Sequence, residues 1–382
     1  MAKDSDIPST HPLTPPLTEE AWLDWFRLLR SRRVGVATFY RLMEEHGDAG
    51  AALDALPGLA AGAGIENYAP CPAGVAAAEL EAGRRAGAVP LAVGAPDYPA
   101  LLAEIPDAPP VLWAIGETRL LARSATGLVG ARAASSLGLR MARRLARELG
   151  EAGEVVVSGL ARGIDTEAHK AALETGTVAV LPGGVDVVYP PENAVLAQEI
   201  GERGLLLSER PMHAEVQQRH FIARNRIIAG LARATVVVEA AAKSGSLSAA
   251  RCALDQGREV LAVPGHPFDA RSVGCNILIR DGATLVRGAQ DVLEALAMPA
   301  AAASRAREAV EVPPPPPETR SPAEIAALHA AILDRLGTAP LAEDTLIRGL
   351  GGRASDVAQE IVVLELDGRI RRDPGGRLVR AA

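Results

Sequence analysis

From about residue 87 the chain repeats one pattern: a short run of consecutive apolar residues closed by glycine or proline, then a longer amphipathic stretch. The runs are VPLAV, VLWAIG, TGLVGAR, EVVVSG, TVAVLPGG, LLLSE, TVVVEA and EVLAVPG. Apolarity on successive rather than alternate residues marks strands covered on both faces. Between them SSLGLRMARRLARELGEAG, DTEAHKAALETG, NAVLAQEIGERG and SLSAARCALDQG carry the helical period. Strand then helix, repeated, means right-handed crossovers and an α/β, Rossmann-like, doubly wound and mostly parallel sheet.

The flanks differ from this unit. Residues 1–17, rich in Pro, Ser and Thr, read as a disordered tail. Residues 18–80 read as an N-terminal helical domain of SAM or helix-hairpin-helix type. Thr18 is its first N-cap, Glu19 and Glu20 lie in the first turn, and Trp22, Phe26 and Leu29 follow at i, i+4, i+7. VGVATFYRLMEEHG and AGAALDALPG read as shorter helices punctuated by glycine. The Rossmann-like domain spans 87–298. Residues 299–321 form a linker in which Pro313 to Pro317 make an extended spacer. The remainder, 322–382, reads as helices over 322–336, 342–349 and 353–366, then two strands around RRDPGG, which is a winged-helix domain. Ser355, Asp356 and Gln359 are not a basic recognition face, which tilts that domain towards protein contact.

A net charge of -7 and a pI near 5.6 exclude a uniformly basic surface but not a local basic pocket. Cys71, Cys252 and Cys275 are scattered, with no metal-ligand spacing, so we expect no metal and a reducing compartment. With neither a signal-peptide core nor a bilayer-length apolar run, the expected location is cytoplasmic. No cofactor is expected: GxxxxGK[ST] and a GxGxxG at a strand–helix junction are both absent, and AAKSGSLS lacks the P-loop order.

Ligands of an open parallel sheet bind at the carboxyl ends of its strands. The loops there, GARAASS, SGLARGIDTEAH, LPGGVDVVYPPEN, SERPMHAEVQQRHFIARNR, EAAAKSGSLS and PGHPFDARSVGCN, are dense in Gly, Ser, Arg, Lys and Asn. Glycine admits close backbone approach, and arginine suits bidentate phosphate contact. Arg132, Arg162, Arg224, Arg226 and Lys243 are expected on one rim, a number suited to several phosphates in a row. RHFIARNRIIAGLA poses a puzzle: Ile222, Ile227, Ile228 and Leu231 form the apolar side of a helix, yet Arg224, Asn225 and Arg226 sit among them. They either pair with internal carboxylates, for which Asp165 and Glu239 are candidates, or wait for an anion. Ser158, Asp165 and His169 evoke a triad. However, Asp165 and His169 are i, i+4 on one helix, which suits capping, and no GxSxG elbow is present.

SGLARGID..AH, VLPGGVDVVYPPEN, LLSE, RNRIIAGL, VVEA...SGSL and AVPG, in that order over roughly residues 87 to 290, strongly resemble the DNA-processing protein A family (DprA/Smf). The proline linker, winged-helix tail and N-terminal helices fit the same family. The resemblance implies a non-catalytic protein that binds single-stranded DNA and helps load the RecA recombinase during natural transformation (competence) and recombination. It also implies a homodimer formed through the Rossmann-like domain. By the same resemblance Arg132 of GARAAS matches the family's DNA-contacting arginine, and Gly159, Arg162, Arg224, Asn225, Arg226, Ser244, Gly245 and Ser246 match loops facing the same pocket. Lys243 joins them by position. FIARNR departs from the usual Phe-Pro before Arg-Asn-Arg, and GSLSAA from Gly-Ser-Leu followed by Ile or Val and Thr; both bear on pocket geometry. Phe221 is the one plausible stacking platform, so binding should be mostly electrostatic. The competing reading is a nucleotide phosphoribohydrolase-like enzyme of the lysine-decarboxylase-like Rossmann group. In it Glu239 would supply the carboxylate missing after Pro182-Gly183-Gly184.

Overall fold

A computed structural model of the chain describes residues 13–297, 321–336, 340–351, 354–372 and 377–380. The first part of the expected tail, the proline-rich linker up to residue 320 and the Pro-Gly-Gly turn lie outside the described residues. The chain divides into two units, Met1–Ala303 and Ser304–Ala382.

The first unit opens with four helices, α1 (Glu19–Arg30), α2 (Val36–His46), α3 (Ala49–Gly62) and α4 (Ala73–Arg85). Thr18 caps α1 by accepting from the Ala21 N–H at 3.1 Å. The buried side of α1 is Trp25, Phe26 and Leu28, whereas Trp22 and Leu29 are only partly buried. The apolar stripe is thus rotated from the expected one, because α1 lies between α3 and α4 and is covered from two sides. The helices are not a separate body. The Phe26 ring lies 5.3 Å from that of Trp113, and the Tyr40 hydroxyl donates to the Ala108 carbonyl at 2.8 Å. Within residues 13–17, expected to be disordered, Pro16 is buried and Leu13 rests on the main core, while Leu17 stays exposed. Leu13 and Pro16 of LTPPL are what this stretch buries.

Nine strands follow among the described residues: β1 (Val89–Ala92), β2 (Val111–Gly116), β3 (Ala125–Val129), β4 (Val155–Ser158), β5 (Thr177–Val180), β6 (Leu205–Ser208), β7 (Ala234–Val237), β8 (Glu259–Ala262) and β9 (Thr284–Leu285). They form one sheet in the order β1-β2-β6-β5-β4-β3-β7-β8-β9. Strands β3 to β9 pair in parallel, while β2 joins β6 and β1 joins β2 antiparallel. The segment between β1 and β2 carries only the one-turn helix α5 (Ala100–Ala103), with no long crossover helix, and the two strands pair antiparallel. The crossovers elsewhere are α6 (Ser136–Glu151), α7 (Ile164–Ala172), α8 (Ala194–Arg203), α9 (Gln218–Leu231) and α10 (Ser246–Asp255), with α11 (Val273–Arg280) and α12 (Ala289–Ala297) after β8.

Successive strand residues point to opposite faces. Val156 packs into the core shared with Leu145, Ala168 and Val292, and its neighbours Val155 and Val157 into the core shared with Ile227, Ala249 and the N-terminal helices. The chain leaves β3 to build β4, β5 and β6 on one side, then returns to place β7 on the other. The order therefore reverses between β3 and β7, where a crevice opens at the carboxyl ends of the strands.

In the second unit, helices Pro322–Arg335, Glu343–Leu350 and Ala354–Leu366 precede an antiparallel pair, Ile370–Arg372 with Leu378–Arg380, which Leu341 extends by a bridge to Leu378. Ser321 and Glu324 form a capping box at its start, and Ile332, Leu346, Ile361, Leu364 and Leu378 share its core. This is a winged-helix arrangement. Among the described residues no helix is long and apolar enough to cross a membrane, and no group of His, Cys, Asp and Glu is placed to hold a metal ion.

Candidate nucleic-acid interface

The loops that leave β3 and β4 are knitted together. Gly163 has φ +80°, and a Cβ there would stand 2.3 Å from the Ala131 carbonyl oxygen, so only glycine lets the two loops touch. Asp165 accepts from the N–H groups of Gly159 at 3.2 Å and Ala161 at 3.3 Å. Four residues on, His169 Nε2 accepts from the Leu160 N–H at 3.3 Å. Its Nδ1 must then carry the proton it shares with the Thr177 hydroxyl at 2.7 Å. Both side chains are spent on shaping the loop. The Ser158 hydroxyl donates to the Leu128 carbonyl at 2.5 Å, so the three do not form a triad. Burial, helped by the neighbouring Arg224 charge, drives the His169 imidazole down to about 3.

The three polar residues of RNR on α9 separate. Arg224 is 5% exposed, and its Nη1 donates to the carbonyls of Gly159 (2.8 Å) and Val180, bridging β4 and β5. A Cβ on Gly159 would fall 2.4 Å from the guanidinium, so the glycine makes room for it. Burial pulls Arg224 down to about 10, partly offset by Asp165 and reinforced by Arg132. Asp165 in turn is pushed above the usual carboxylate range by burial, against the opposing pull of Arg224. Asn225 donates to the Ser248 hydroxyl at 2.6 Å and to the Gly245 carbonyl at 3.3 Å, tying α9 to the start of α10. Arg226 turns away and pairs with Glu209 at 2.7 Å and Asp107 at 2.9 Å.

These loops enclose a cleft of about 550 Å³ at the β3–β7 switch point, into which Arg132, Arg224, Asn225, Lys243, Ser244, Gly245 and Ser246 all reach. Phe221 and Ile222 form part of its wall, with the Arg132 guanidinium 4.6 Å from the Phe221 ring and Tyr189 set edge-on to that ring at 5.5 Å. Ile222, which stands where the family pattern has proline, is 62% exposed. The Ser244 and Ser246 hydroxyls are 2.7 Å apart at the start of α10. Of the cations in the lining, Arg224 is opposed by Asp165 and Arg271 is paired with Asp269 and lies near Glu239, which leaves the charges of Arg132 and Lys243 uncompensated by these carboxylates. A local cationic site thus exists on a chain of net charge -7.

Of the residues singled out from sequence, three stand apart from the lining. Arg226 is held by the Glu209–Asp107 pair, Arg162 faces Glu192 at 3.6 Å, and Gly159 lies beneath the Arg224 guanidinium. Glu239 is not a partner of Arg224 or Asn225. It accepts from the Ser135 N–H at 2.8 Å, anchoring α6, and lies 3.6 Å from Arg271. It is 6% exposed and is not among the residues lining the cleft. Arg271 was missed. It follows β8, the strand beside β7, so its loop opens on the same crevice.

Comparison with known proteins agrees with this architecture. The family model for DNA recombination-mediator protein A matches residues 90–297, that for the DprA-like N-terminal HHH domain matches 19–82, and that for the DprA winged helix domain matches 314–376. The chain is 35% identical to protein Smf of Synechocystis over 75% of this chain and 78% of that protein. It is 46% identical to DNA processing protein DprA of Streptococcus pneumoniae over 51% of this chain and 70% of the relative. The solved structure of the Streptococcus pneumoniae protein superposes with TM-score 0.55 at 35% identity, covering 69% of this chain and 98% of that one. A structure of DNA processing protein A from Helicobacter pylori, described for its single-stranded DNA binding mode, superposes with TM-score 0.51 at 31% identity over 55% and 95% of the two chains. On sequence, domain order and fold together, the chain belongs to the DNA recombination-mediator protein A (DprA/Smf) family.

Proposed function

We propose that the cleft binds single-stranded DNA through its phosphates, that the chain does no chemistry on the strand, and that it helps load RecA on it during DNA uptake and recombination. The observation that carries the reading is the convergence of Arg132, Lys243 and Arg271 around Ser244 and Ser246 at the switch point. An exposed cation gains from phosphate contact and from the counterions it releases. The Helicobacter pylori relative, described for its single-stranded DNA binding, supports the choice of ligand. Pairing of two copies through the Rossmann-like unit, contact with RecA and a cytoplasmic site of action complete the reading.

Fluorescence anisotropy of labelled single- and double-stranded oligonucleotides tests it. Single strands should bind more tightly, and Lys243→Ala and Arg132→Ala should each weaken binding on the order of tenfold, as loss of one charge-assisted contact does. Unchanged affinity in both variants would overturn the assignment of the cleft.

A further inference from the structure

The chain contains four phenylalanines. Phe26 and Phe39 are fully buried in the N-terminal core, and Phe221 walls the cleft. Phe268 is 94% exposed. It sits in the loop between β8 and α11, which also delivers Arg271 to the cleft.

That loop is built to hold its shape. At its base the Asn276 side chain accepts from the Gly265 N–H at 3.1 Å and donates to the Gly265 carbonyl at 3.0 Å. Two turns follow: the Asp269 N–H donates to the His266 carbonyl, and the Ser272 N–H to the Asp269 carbonyl, both at 2.9 Å. The Asp269 carboxylate accepts from the Arg271 N–H and Nε at 3.0 Å and from its Nη2 at 2.9 Å. Phe268 is carried at the outer edge of these turns, its N–H donating to His266 Nδ1 at 3.3 Å and its ring 5.5 Å from the imidazole. A phenyl ring held in water forgoes the burial that normally favours it. In a chain only 3% aromatic, both phenylalanines outside the core stand at the carboxyl end of the sheet, each close in sequence to a cleft residue.

We propose that Phe268, backed by His266, is a base-stacking platform for the strand where it leaves the cleft, with Arg271 holding the adjacent phosphate. The proposal rests on the reading that the cleft binds single-stranded DNA. Every nucleobase offers a flat face to a ring, so the platform adds affinity without reading sequence. It also supplies what an arginine and lysine rim lacks, a contact that duplex DNA, with its bases already stacked, does not make.

The test compares the full-length protein with Phe268→Ala, Phe268→Trp and Lys243→Ala. The probes are an oligothymidylate and an abasic oligomer of equal length, which carries the same phosphates without bases. Phe268→Ala should weaken the oligothymidylate on the order of tenfold, leave the abasic oligomer within about twofold, and keep the salt dependence. Phe268→Trp should bind at least as well as the parent, with quenching of the new indole on the oligothymidylate alone. If Lys243→Ala weakens binding while Phe268→Ala discriminates between the oligomers as the parent does, the platform is wrong and the cleft stands. If neither substitution matters, both fall. Should Phe268→Ala instead convert a dimer to monomer in sedimentation with per-site affinity unchanged, the ring belongs to a protein contact and the proposal is overturned.

Discussion

Arg224 and Lys243 both reach the cleft, but they answer to different physics. Lys243 is exposed at the rim, whereas Arg224 is buried and holds two backbone carbonyls of neighbouring strands. Truncating it strands those carbonyls and leaves Asp165 without its compensating charge. Arg224→Ala should therefore cost about 3 kcal/mol of stability as well as DNA affinity, and Lys243→Ala should cost affinity with stability within about 0.5 kcal/mol. Urea unfolding beside anisotropy separates the two. A stable Arg224→Ala that still fails to bind would mean that its role is contact and not bracing. Sequence marked RNR as special but not which residue does what. Consecutive helical residues diverge by about 100°, so three in a row cannot share one cleft; which one turns inward depends on how α9 sits on the sheet. His169 carries a pH signature. Its imidazole falls from 6.5 unfolded to about 3 folded because it is buried. Above pH 6.5 both states are neutral and the residue is silent. Below it the unfolded chain takes up a proton that the folded one refuses, so stability falls progressively until pH nears 3. Between pH 7.5 and 5.5 the loss should be roughly 1 kcal/mol. His169→Gln should be less stable at pH 7.5 yet lose that much less on acidification; an identical slope in both proteins would show that the shift is not His169's.

At the scale of elements, what could be read depended on contrast. Short runs of consecutive apolar residues between glycines and prolines stood out, and each of the eight overlaps a strand of the sheet. Strand β9 did not, being two exposed residues, Thr284 and Leu285, in register with β8. Helix α4, AGVAAAELEAGRR, was missed because alanine and glycine give its faces little difference in hydropathy. Its smallness is nonetheless what the packing uses. A Cβ on Gly83 would lie 2.4 Å from the Trp113 ring, which is 1% exposed on β2. The indole N–H donates to Glu79 at 3.0 Å, and Glu79 receives Arg30 of α1 through two bonds of 2.8 Å. Helices α1 and α4 are thereby fixed to the antiparallel edge of the sheet. Gly83→Ala introduces a better helix former into α4 but overpacks this joint, and should destabilise the protein by about 2 kcal/mol, seen as a lower urea midpoint with altered tryptophan fluorescence. Stabilisation, the outcome expected of Gly→Ala on an open helix face, would show that Trp113 moves aside at no cost.

At the scale of the whole molecule, the site exists only because of strand order. Arg132 and Lys243 are more than a hundred residues apart, and they meet because β7 returns beside β3 after three strands have been laid on its other side. Periodicity indicates that there is a parallel sheet, and the rule for such sheets names their carboxyl ends. Neither says which side chain of a loop turns to the crevice: Ala161 and Asp165 of the β4 loop line it while Arg162 between them faces Glu192, and Arg271 reaches it from the loop after β8. The two units have separate cores, that of the winged helix drawing on residues from Leu328 onward and those of the first unit ending by Leu296. Each can therefore be asked for its share of DNA binding. If Arg132, Lys243 and Arg271 each meet one phosphate, log affinity for a single strand should fall against log salt with a slope of about -2, and Lys243→Ala should flatten it by about 0.7. A chain ending at residue 303 should keep both the affinity and the slope, since the cations that set them are retained. A slope that collapses on truncation would shift the phosphate contacts to the winged helix, and Lys243→Ala would then have no effect on what remained.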